Sequence, residues 1–340
     1  MNFIKHVVGI DISMDTLVVR FGTLTDTQDK QHSSSVSFPN TKGGFHKLIA
    51  WAKQQQGKST APLTYVMEAT GSYYEALAFY LHAKGHSVAV LLPTKIKHYA
   101  KSLDTKSKTD SLDTIAIILF ALERSLTLWQ PPSPVMRSIK FLLRERESFV
   151  KIRTQMQNKR HAKAHSYKPE KETKQRMKAM AQYCAKEIKE IEKQVQFLIS
   201  THSEIQERLH NCTKVQGLGW LTVMTVVAET DGFILIKSGK QLASYVGYDV
   251  VHNESGKKSR KTRISKKGNS HIRSILFMPA LTACRSNAKM KALKERLFMK
   301  TNIHYIGVIA VARKLLLLIY TLWTKNEPYD PNYGNASAAV

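Results

Sequence analysis

The chain has 340 residues, of which 52 are Lys or Arg and 26 are Asp or Glu, so its formal net charge is +26. This length leaves room for two domains, and so large an excess of positive charge points to a phosphate-rich partner. The three cysteines, Cys184, Cys212 and Cys284, lie far apart and form no Cys-x-x-Cys pair, which argues against a zinc site and a disulfide framework.

The distribution of charge separates the two ends of the chain. Residues 1–130 carry 14 basic and 10 acidic residues, whereas residues 211–340 carry 20 and 7. The last third is therefore expected to bind a polyanion. No secretory leader opens the sequence, so we expect a cytoplasmic protein. The most apolar stretch, residues 305–323, is interrupted by Arg313 and Lys314, which favours a buried core helix over a membrane span.

The first 130 residues alternate short apolar runs with helical patterns, which predicts a mixed sheet with helices on its faces. The predicted strands are residues 6–12, 15–21, 33–38, 63–68 and 86–91, and the predicted helices are residues 40–56 and 72–84. Pro93 ends the last of these strands, and a helix capped by Thr109 follows and continues to about Glu123.

Two carboxylates, Asp110 and Asp113, lie three residues apart at the start of this helix and share one of its faces. Close carboxylates repel each other, and a divalent cation that prefers oxygen ligands, Mg²⁺ or Mn²⁺, removes the repulsion. Taken alone, the pair is better explained as two acids favoured by the helix dipole in a first turn.

Two further acids end apolar strands. Asp11 follows the run Val7–Ile10, and Glu68 follows Thr64–Met67. A buried carboxylate is costly unless it is paired or binds a metal. Individually, Asp11 is explained as a turn residue and Glu68 as an exposed strand end. Acids at neighbouring strand ends can also meet those of a helix packed across them, so convergence of all four acids is the alternative.

The sequence Pro-Pro-Ser-Pro at residues 131–134 marks a boundary. Residues 135–165 then show a basic helical pattern, and a second helix is predicted over residues 170–209. We expect an antiparallel helical hairpin of coiled-coil type. It is either a solvated stalk or a surface for nucleic acid. Residues 137–168 include ten basic residues and only two acidic ones, which favours binding of nucleic acid. The predicted phosphate contacts are Arg153, Lys159 and Arg160.

Gly217-x-Gly219 opens an apolar helix, and free backbone N–H groups at such a turn suit a phosphate. The segment resembles a helix-hairpin-helix DNA-binding unit, although Gly-x-Gly is also common in ordinary turns. Further helices are predicted at residues 240–246, 269–285, 288–300 and 304–325, with a loose tail at 327–340.

A basic loop between Gly256 and Arg273 has eight Lys or Arg residues and no acid. Such a loop is most simply a phosphate clamp. Ser255, directly before it, could also be a nucleophile, because neighbouring positive charge favours its alkoxide and a phosphate target. The predicted nucleic-acid contacts in the loop are Lys257, Lys258, Arg260, Lys261, Arg263, Lys266 and Lys267.

Together these segments resemble the DEDD transposases of bacterial insertion sequences, the bridge-RNA-guided recombinases whose relatives include the pilin-gene invertases. The resemblance covers nearly the whole chain. Its carriers are residues 8–11, 67–71, 108–113, 216–219, 254–256 and 264–269. The sequence departs from many relatives at Met14, where Lys is common, and at Thr114, where Ala is common.

The resemblance implies an N-terminal RuvC-like, RNase H-type domain at residues 1–130 and a helical coiled-coil linker at residues 135–210. It implies a mostly α-helical transposase domain at residues 211–326, with a tail at 327–340. Asp11, Glu68, Asp110 and Asp113 would then bind Mg²⁺, with Mn²⁺ as a substitute. Ser255 would be the catalytic serine.

The same resemblance implies donor DNA, target DNA and a bridge RNA as partners, and a homo-oligomer, either a dimer or a tetramer, with no membrane association. Three alternatives stay open. They are an RNA-independent site-specific DNA invertase, a RuvC-like structure-selective nuclease that needs no serine, and a non-catalytic nucleic-acid-binding protein.

Overall fold

The computed structural model describes residues 2–69, 71–103, 110–168, 170–251, 254–255, 258–259 and 263–330, with only the backbone described at 110–113, 254–255 and 258–259. The predicted cap Thr109 lies outside the described residues. The chain forms two compact units, Met1–Pro131 and Pro132–Val340.

The first unit is a mixed sheet with helices on its faces, as predicted. Its described elements are β1 (Phe3–Ile12), β2 (Thr16–Thr25), β3 (Lys30–His32), β4 (Val36–Pro39), α1 (Lys42–Gln56), β5 (Leu63–Glu68), α2 (Glu75–Ala83), β6 (Ser87–Leu91), α3 (Pro93–Lys101) and α4 (Asp110–Glu123). The strand order is β3-β2-β1-β5-β6, and β4 pairs with β2 beside β3. The β1–β2 pair is antiparallel, while β1–β5 and β5–β6 are parallel.

Two predictions for this unit were wrong in detail. The strand predicted at residues 33–38 starts three residues later, as β4 (Val36–Pro39), and β3 (Lys30–His32), which precedes it along the same edge of β2, was not predicted. Between them the hydroxyl of Ser33 accepts from the N–H of Phe21, and such side-chain bonds compete with a regular ladder. Helix α3 was not predicted. Pro93 begins this helix instead of only ending a strand, because proline suits a first helical position.

Helix α4 packs unusually close to the sheet because glycines lie beneath it. Ile118 is fully buried. A Cβ atom on Gly9 of β1 would lie 2.5 Å from Ile118 Cγ1, and one on Gly22 of β2 would lie 2.5 Å from Ile118 Cγ2. Real Cβ atoms do not tolerate such distances, so the two glycines determine how closely α4 can approach the sheet.

The C-terminal end of α4 is held by charged side chains from the sheet. The Lys5 ammonium group donates to the carbonyl oxygens of Ala121 and Arg124. A cation here satisfies carbonyls that have no partner within the helix and complements the helix dipole. Lys30 forms an ion pair with Glu123 at 2.6 Å, and hydrogen bonds from Lys30 and Tyr99 lower the pKa of Glu123.

The second unit is mostly helical, as predicted. Its described elements are α5 (Pro134–Ala164), α6 (Lys171–Ser200), α7 (Ser203–Thr213), α8 (Trp220–Glu229), a 3₁₀ turn (Asp231–Phe233), α9 (Gly239–Val246), β7 (Val250–Val251), β8 (Glu254–Ser255), β9 (Lys258–Ser259), β10 (Arg263–Ile264), α10 (Ser270–Ser286), α11 (Ala288–Thr301) and α12 (His304–Lys325). Helices α5 and α6 pack through residues that include Leu143, Ile191 and Val195.

Helix α12 crosses the core of the second unit. Among the described residues it is the one helix long and apolar enough to span a membrane by length and composition, and half of that stretch is buried. Val311, Leu315 and Ile319 are fully buried against other helices. The helix therefore occupies the core position expected from its sequence.

The single helix predicted over residues 170–209 is interrupted at Thr201 and His202. The hydroxyl of Thr201 donates to the carbonyl oxygens of Phe197 and Leu198, and the hydroxyl of Ser200 also donates to that of Phe197. His202 then has an extended backbone that begins α7. Polar side chains that bond the preceding turn compete with continuation of the helix.

We predict that Gly9→Ala destabilises the first unit, because the new methyl group forces Ile118 and α4 away from the sheet. The expected loss in the free energy of unfolding is about 1–3 kcal/mol, as for other overpacked cores. The measurement is thermal or denaturant unfolding of the full chain. Gly43→Ala is the matched control, because nothing lies within 4 Å of its Cβ position. Equal unfolding midpoints for the two variants would contradict the predicted constraint.

Candidate functional site

The sheet brings Asp11 and Glu68 next to each other. Ile10 of β1 is the register partner of Met67 of parallel strand β5, so each acid is the next residue on its own strand. Adjacent strands lie about 4.8 Å apart, and residues at equal positions point to the same face. Both acids are half-buried. Two strand-end carboxylates therefore share one edge of one sheet face.

That face is the one covered by α4. Gly9, two residues before Asp11, lies beneath α4, where its Cβ position is 3.3 Å from the carbonyl oxygen of Thr114. Leu122, further along the helix, lies over Gly22, whose register partner Val7 is further back on β1. Helix α4 thus runs opposite to β1, and its first turn, which begins at Asp110, extends toward the carboxyl end of the strand.

Asp110 and Asp113 belong to this first turn by their backbone, and their side chains lie outside the described residues. Among the described side chains no group of three or more potential metal ligands occurs. The structure thus brings together Asp11 and Glu68 and directs the start of α4 toward them. Convergence of all four carboxylates on one cation stays a prediction. The donor set would consist of oxygen atoms, which suits Mg²⁺ or Mn²⁺.

Arg20 was missed by sequence reasoning and lies beside this site. It is the register partner of Gly9 on β2 and only 9% exposed. Its Nε donates to the hydroxyl of Thr114 at 3.2 Å, and its Nη1 donates to the carbonyl of Ser33 at 2.7 Å. The guanidinium group therefore ties the residue after Asp113 to the sheet. A single charged residue within the apolar run Leu17–Phe21 was the available signal.

The loop that carries Ser255 has an ordered base. Strands β7 and β10 pair antiparallel, and below them the hydroxyl of Ser265 donates to the Asp249 carboxylate at 2.6 Å. The N–H of Lys266 donates to the carbonyl of Gly247. Hydrogen bonds between both legs of the loop hold its ends together, so the loop has a fixed base.

Ser255 itself lies in the outer hairpin of this loop, where its backbone pairs with Lys258. The side chains of Ser255 and Lys258 are not described, and Lys257, Arg260 and Lys261 lie outside the described residues. The remaining cations predicted to bind nucleic acid are exposed on the returning leg, and they are Arg263, Lys266 and Lys267.

The two glycines of the predicted helix-hairpin-helix unit, Gly217 and Gly219, have different surroundings. Gly217 has φ +95°, and its Cβ position lies 3.1 Å from Ala283 Cβ and 3.2 Å from the carbonyl oxygen of Pro279. A glycine is therefore required there for close packing on α10. Gly219 is exposed and begins α8 without a side-chain cap. The two glycines thus share one turn, and the backbone at Gly219 is the part open to solvent.

The end of the α5–α6 hairpin carries a cationic cleft of about 450 Å³. It is lined by Arg160, His161, Ala164, Lys171, Lys174, Gln175 and Lys178. No carboxylate is among these lining residues. Lys159 is exposed nearby, and the Nε atom of Arg153 is buried without a hydrogen-bond partner among the described residues. The cleft therefore gathers cations at the end of the hairpin, and the buried Nε of Arg153 is not part of its surface.

Comparison with known proteins relates both units to transposases. A DEDD-type IS110 transposase model matches residues 8–169, and the model for the transposase IS116/IS110/IS902 family matches residues 209–295. The pilin gene-inverting protein of Moraxella lacunata is 30% identical over 336 residues, covering 96% of this chain and 98% of that protein. The transposase for insertion sequence element IS1111A of Coxiella burnetii is 25% identical over 291 residues, covering 78% of each chain.

Among solved structures, RuvC of T. thermophilus in complex with a Holliday junction substrate matches 36% of this chain and 99% of that chain. The identity is 11% and the TM-score is 0.28, which is too low to relate the two folds. Assignment to a family rests instead on the full-length relative and on the matched models. This chain belongs to the IS116/IS110/IS902 family of transposases, with pilin gene-inverting proteins among its relatives.

Proposed function

We propose that this chain is an insertion-sequence DNA recombinase that cuts and rejoins strands with a metal-binding acid tetrad and a serine nucleophile. The observation that carries the proposal is the register that puts Asp11 beside Glu68 beneath α4, whose first turn contains Asp110 and Asp113. The substrates are donor and target DNA. The active form is a homo-oligomer, either a dimer or a tetramer.

The residues of the first unit fit a divalent cation because all four donors are carboxylates. Asp11 and Glu68 belong to paired strands, so their backbones are held in register. Arg20 and Lys5 hold α4 against the sheet near its two ends. Bound Mg²⁺, or Mn²⁺ in its place, would polarise the scissile phosphate and stabilise charge on the reacting oxygens.

The second unit supplies the nucleophile. The Ser255 hydroxyl loses its proton as its oxygen bonds to phosphorus, while the bond from phosphorus to the leaving DNA oxygen breaks and that oxygen takes up a proton. The resulting serine phosphodiester keeps the strand attached for rejoining by the reverse reaction. The cations on either side, Lys257, Lys258, Arg260 and Lys261, bind the flanking phosphates. The ordered loop base, in which Ser265 bonds to Asp249, supports this role by limiting the motion of the loop.

The α5–α6 hairpin is proposed to bind a guide RNA through its phosphates. The cationic cleft at its end supports contact with a polyanion. The second candidate is a site-specific DNA invertase that works without RNA. The relative named pilin gene-inverting protein, which the chain matches over 98% of its length, favours that alternative.

We expect Asp110→Asn to lower DNA cleavage by about 100-fold or more, because the amide cannot supply the negative charge that binds the cation. Binding of DNA should persist. The measurement is cleavage of labelled donor DNA with Mg²⁺, beside a mobility-shift assay. Asp15→Asn serves as control, since Asp15 is exposed in the β1–β2 turn outside the tetrad. Cleavage by Asp110→Asn at the wild-type rate would remove this residue from the mechanism.

A second expectation concerns Ser255→Ala. This variant should lose both the covalent protein–DNA adduct and recombination while it still binds DNA, because only the attacking oxygen is removed. The measurement is a denaturing gel of labelled DNA after reaction with protein and Mg²⁺. A water-using nuclease, by contrast, would cut without any adduct.

Ser259→Ala is the control for this experiment and should keep the adduct. Ser265→Ala is not a neutral control, because its hydroxyl bonds to Asp249 at the base of the loop. A protease-sensitive adduct that survives in Ser255→Ala would exclude Ser255 as the nucleophile.

A third expectation concerns the hairpin. RNA of one defined sequence should co-purify with the chain, and its absence would favour the invertase alternative. Neutralising Arg153, Lys159 and Arg160 together should make the slope of log affinity against log salt concentration less steep by about 2 to 3. Each lost phosphate contact accounts for about 0.9 of that change in slope. The ligand is the co-purified RNA, or DNA where none is found.

The control is Lys186→Ala with Lys189→Ala and Lys193→Ala, which makes the same change in charge on exposed positions of α6. A salt dependence of Arg153, Lys159 and Arg160 triple-variant binding equal to that of the wild-type chain would reduce the hairpin to a stalk.

A further inference from the structure

Glu229 is a buried carboxylate that the proposed chemistry does not use. It is the last residue of α8 and only 4% exposed. Arg144 of α5 donates to it twice, from Nε to Oε1 at 2.6 Å and from Nη2 to Oε2 at 2.9 Å. The ammonium group of Lys140 lies 3.9 Å from Oε2. A carboxylate this deeply buried is tolerated only with such partners.

The third hydrogen bond to the Glu229 carboxylate comes from Asn269, which ends the basic loop. Its Nδ2 donates to Glu229 Oε2 at 2.7 Å. Its Oδ1 accepts from the N–H of Ile272 at 3.1 Å and thereby caps α10. Both atoms of the amide are engaged, so its orientation is determined from two sides. Asn269 thus connects the loop, the start of α10 and the buried carboxylate.

The residues next to Asn269 leave this end of the loop little room to move. The N–H of Asn269 donates to the carbonyl of Tyr245 at 2.9 Å. A Cβ atom on Gly268 would lie 2.4 Å from the same carbonyl oxygen. Arg273 donates to the carbonyls of Gly268 and Val246. The returning leg of the loop therefore reaches the protein body at a closely packed and fully hydrogen-bonded point.

The charge on Glu229 is maintained within this network. Burial by itself would raise its pKa, but hydrogen bonds from Arg144 and Asn269, together with the charges of Lys140 and Arg144, lower the pKa overall. Glu229 is therefore an anion near neutral pH. Buried ion pairs add little net stability compared with apolar packing. What this one adds is a defined position for the groups that bond to it.

We propose that Glu229 is a positioning residue for Ser255, because it holds the Asn269 end of the loop that carries Ser255 against Arg144 of α5. The proposal rests on the proposed function of Ser255. Glu229 does not contact substrate in this role. It acts through Asn269, and its effect is on the rate of attack by the serine at saturating DNA.

Asn269→Asp tests the link with minimal change elsewhere. Aspartate caps a helix as well as asparagine, so the start of α10 is retained. Its carboxylate would instead face that of Glu229, and like charges repel. At saturating DNA, the rate of adduct formation should fall about tenfold, which is the size expected for loss of one charged hydrogen bond. The dissociation constant for DNA should not change.

Asn287→Asp is the matched control. Asn287 caps α11 through the same kind of bond, in which its Oδ1 accepts from the N–H of Met290 at 3.2 Å, and it is buried outside the loop. The control should form the adduct at the wild-type rate. An equal loss in both variants would mean that capping alone matters, and it would overturn the proposal.

The double variant Glu229→Gln with Asn269→Asp exchanges the two ends of the bond. The glutamine amide then donates to the aspartate, and Arg144, which bonds to the same Oε2 atom as Asn269, can pair with the new charge. Each single change should slow adduct formation, and the double change should restore most of the rate. Failure of the double variant to exceed Asn269→Asp alone would contradict a specific Glu229–Asn269 link.

Hydrogen exchange of backbone amides separates this proposal from the proposed function. In Asn269→Asp the amides of Ser265, Lys266 and Asn269 should exchange about tenfold faster, with those of α11 unaffected. If the wild-type chain forms no Ser255-dependent adduct, the proposed function fails, and exchange still decides whether Glu229 holds the loop. Unchanged exchange at these amides would overturn the positioning role in either case.

Discussion

The first unit depends on the close contact between α4 and the sheet. Ile118 fills the space above Gly9 and Gly22. Any residue with a Cβ atom at either glycine position would collide with the Ile118 side chain. The two glycines therefore determine the height of α4, and neighbouring polar contacts hold it in place. Lys5 bonds the carbonyls at one end of the helix, and Arg20 bonds Thr114 at the other. The position of the predicted acids at the helix start is thus set by packing several residues away.

This arrangement suits a site made of like charges. Carboxylates brought together without a cation repel one another, and the repulsion would move a loosely held helix away from the strands. Here apolar burial and helix-end contacts, not the acids, hold the helix. Asp11 and Glu68 are likewise carried by strands whose pairing does not involve their side chains. A scaffold held by contacts other than the acids can tolerate the unfavourable electrostatics that the proposed four-acid site would require.

The second unit meets the opposite problem, because its loop concentrates cations. From Gly256 to Arg273 no acid offsets eight basic residues, so the outer loop repels itself. Two acids whose side chains are described lie at its base. Asp249 accepts from Ser265, and Glu229 accepts from Asn269. Hydrogen bonds to these two acids hold the ends of the loop in place. Where the contacts of the loop cations are described, none of these cations pairs with a carboxylate of this chain. Such a loop is suited to a phosphate backbone.

Much of this architecture could be predicted from the sequence, where local pattern and tertiary burial agree. The apolar run Leu63–Glu68 is a strand with the predicted bounds, and the apolar helix at 304–325 lies in the core. Local hydrophobic pattern is sufficient in these elements because each is surrounded by apolar neighbours. The roles of the four acids and of Ser255 are predictions from the sequence, because their residue types and order carry the family resemblance, and they stay predictions.

Other features depended on contacts between residues distant in sequence. Ser33 bonds to Phe21 of β2 at the position where a predicted strand would begin, and that strand starts at Val36 instead. One predicted helix, by contrast, is divided by local bonds from Ser200 and Thr201 to Phe197. Arg20 and Glu229 show no local pattern that reveals their partners, because Thr114 and Asn269 lie 94 and 40 residues away. The sequence by itself determined most strands and helices and the chemically capable residue types, through local periodicity and residue type. Only the tertiary structure decided which buried charges are paired and how closely α4 lies on the sheet, because these depend on packing geometry that no local pattern encodes.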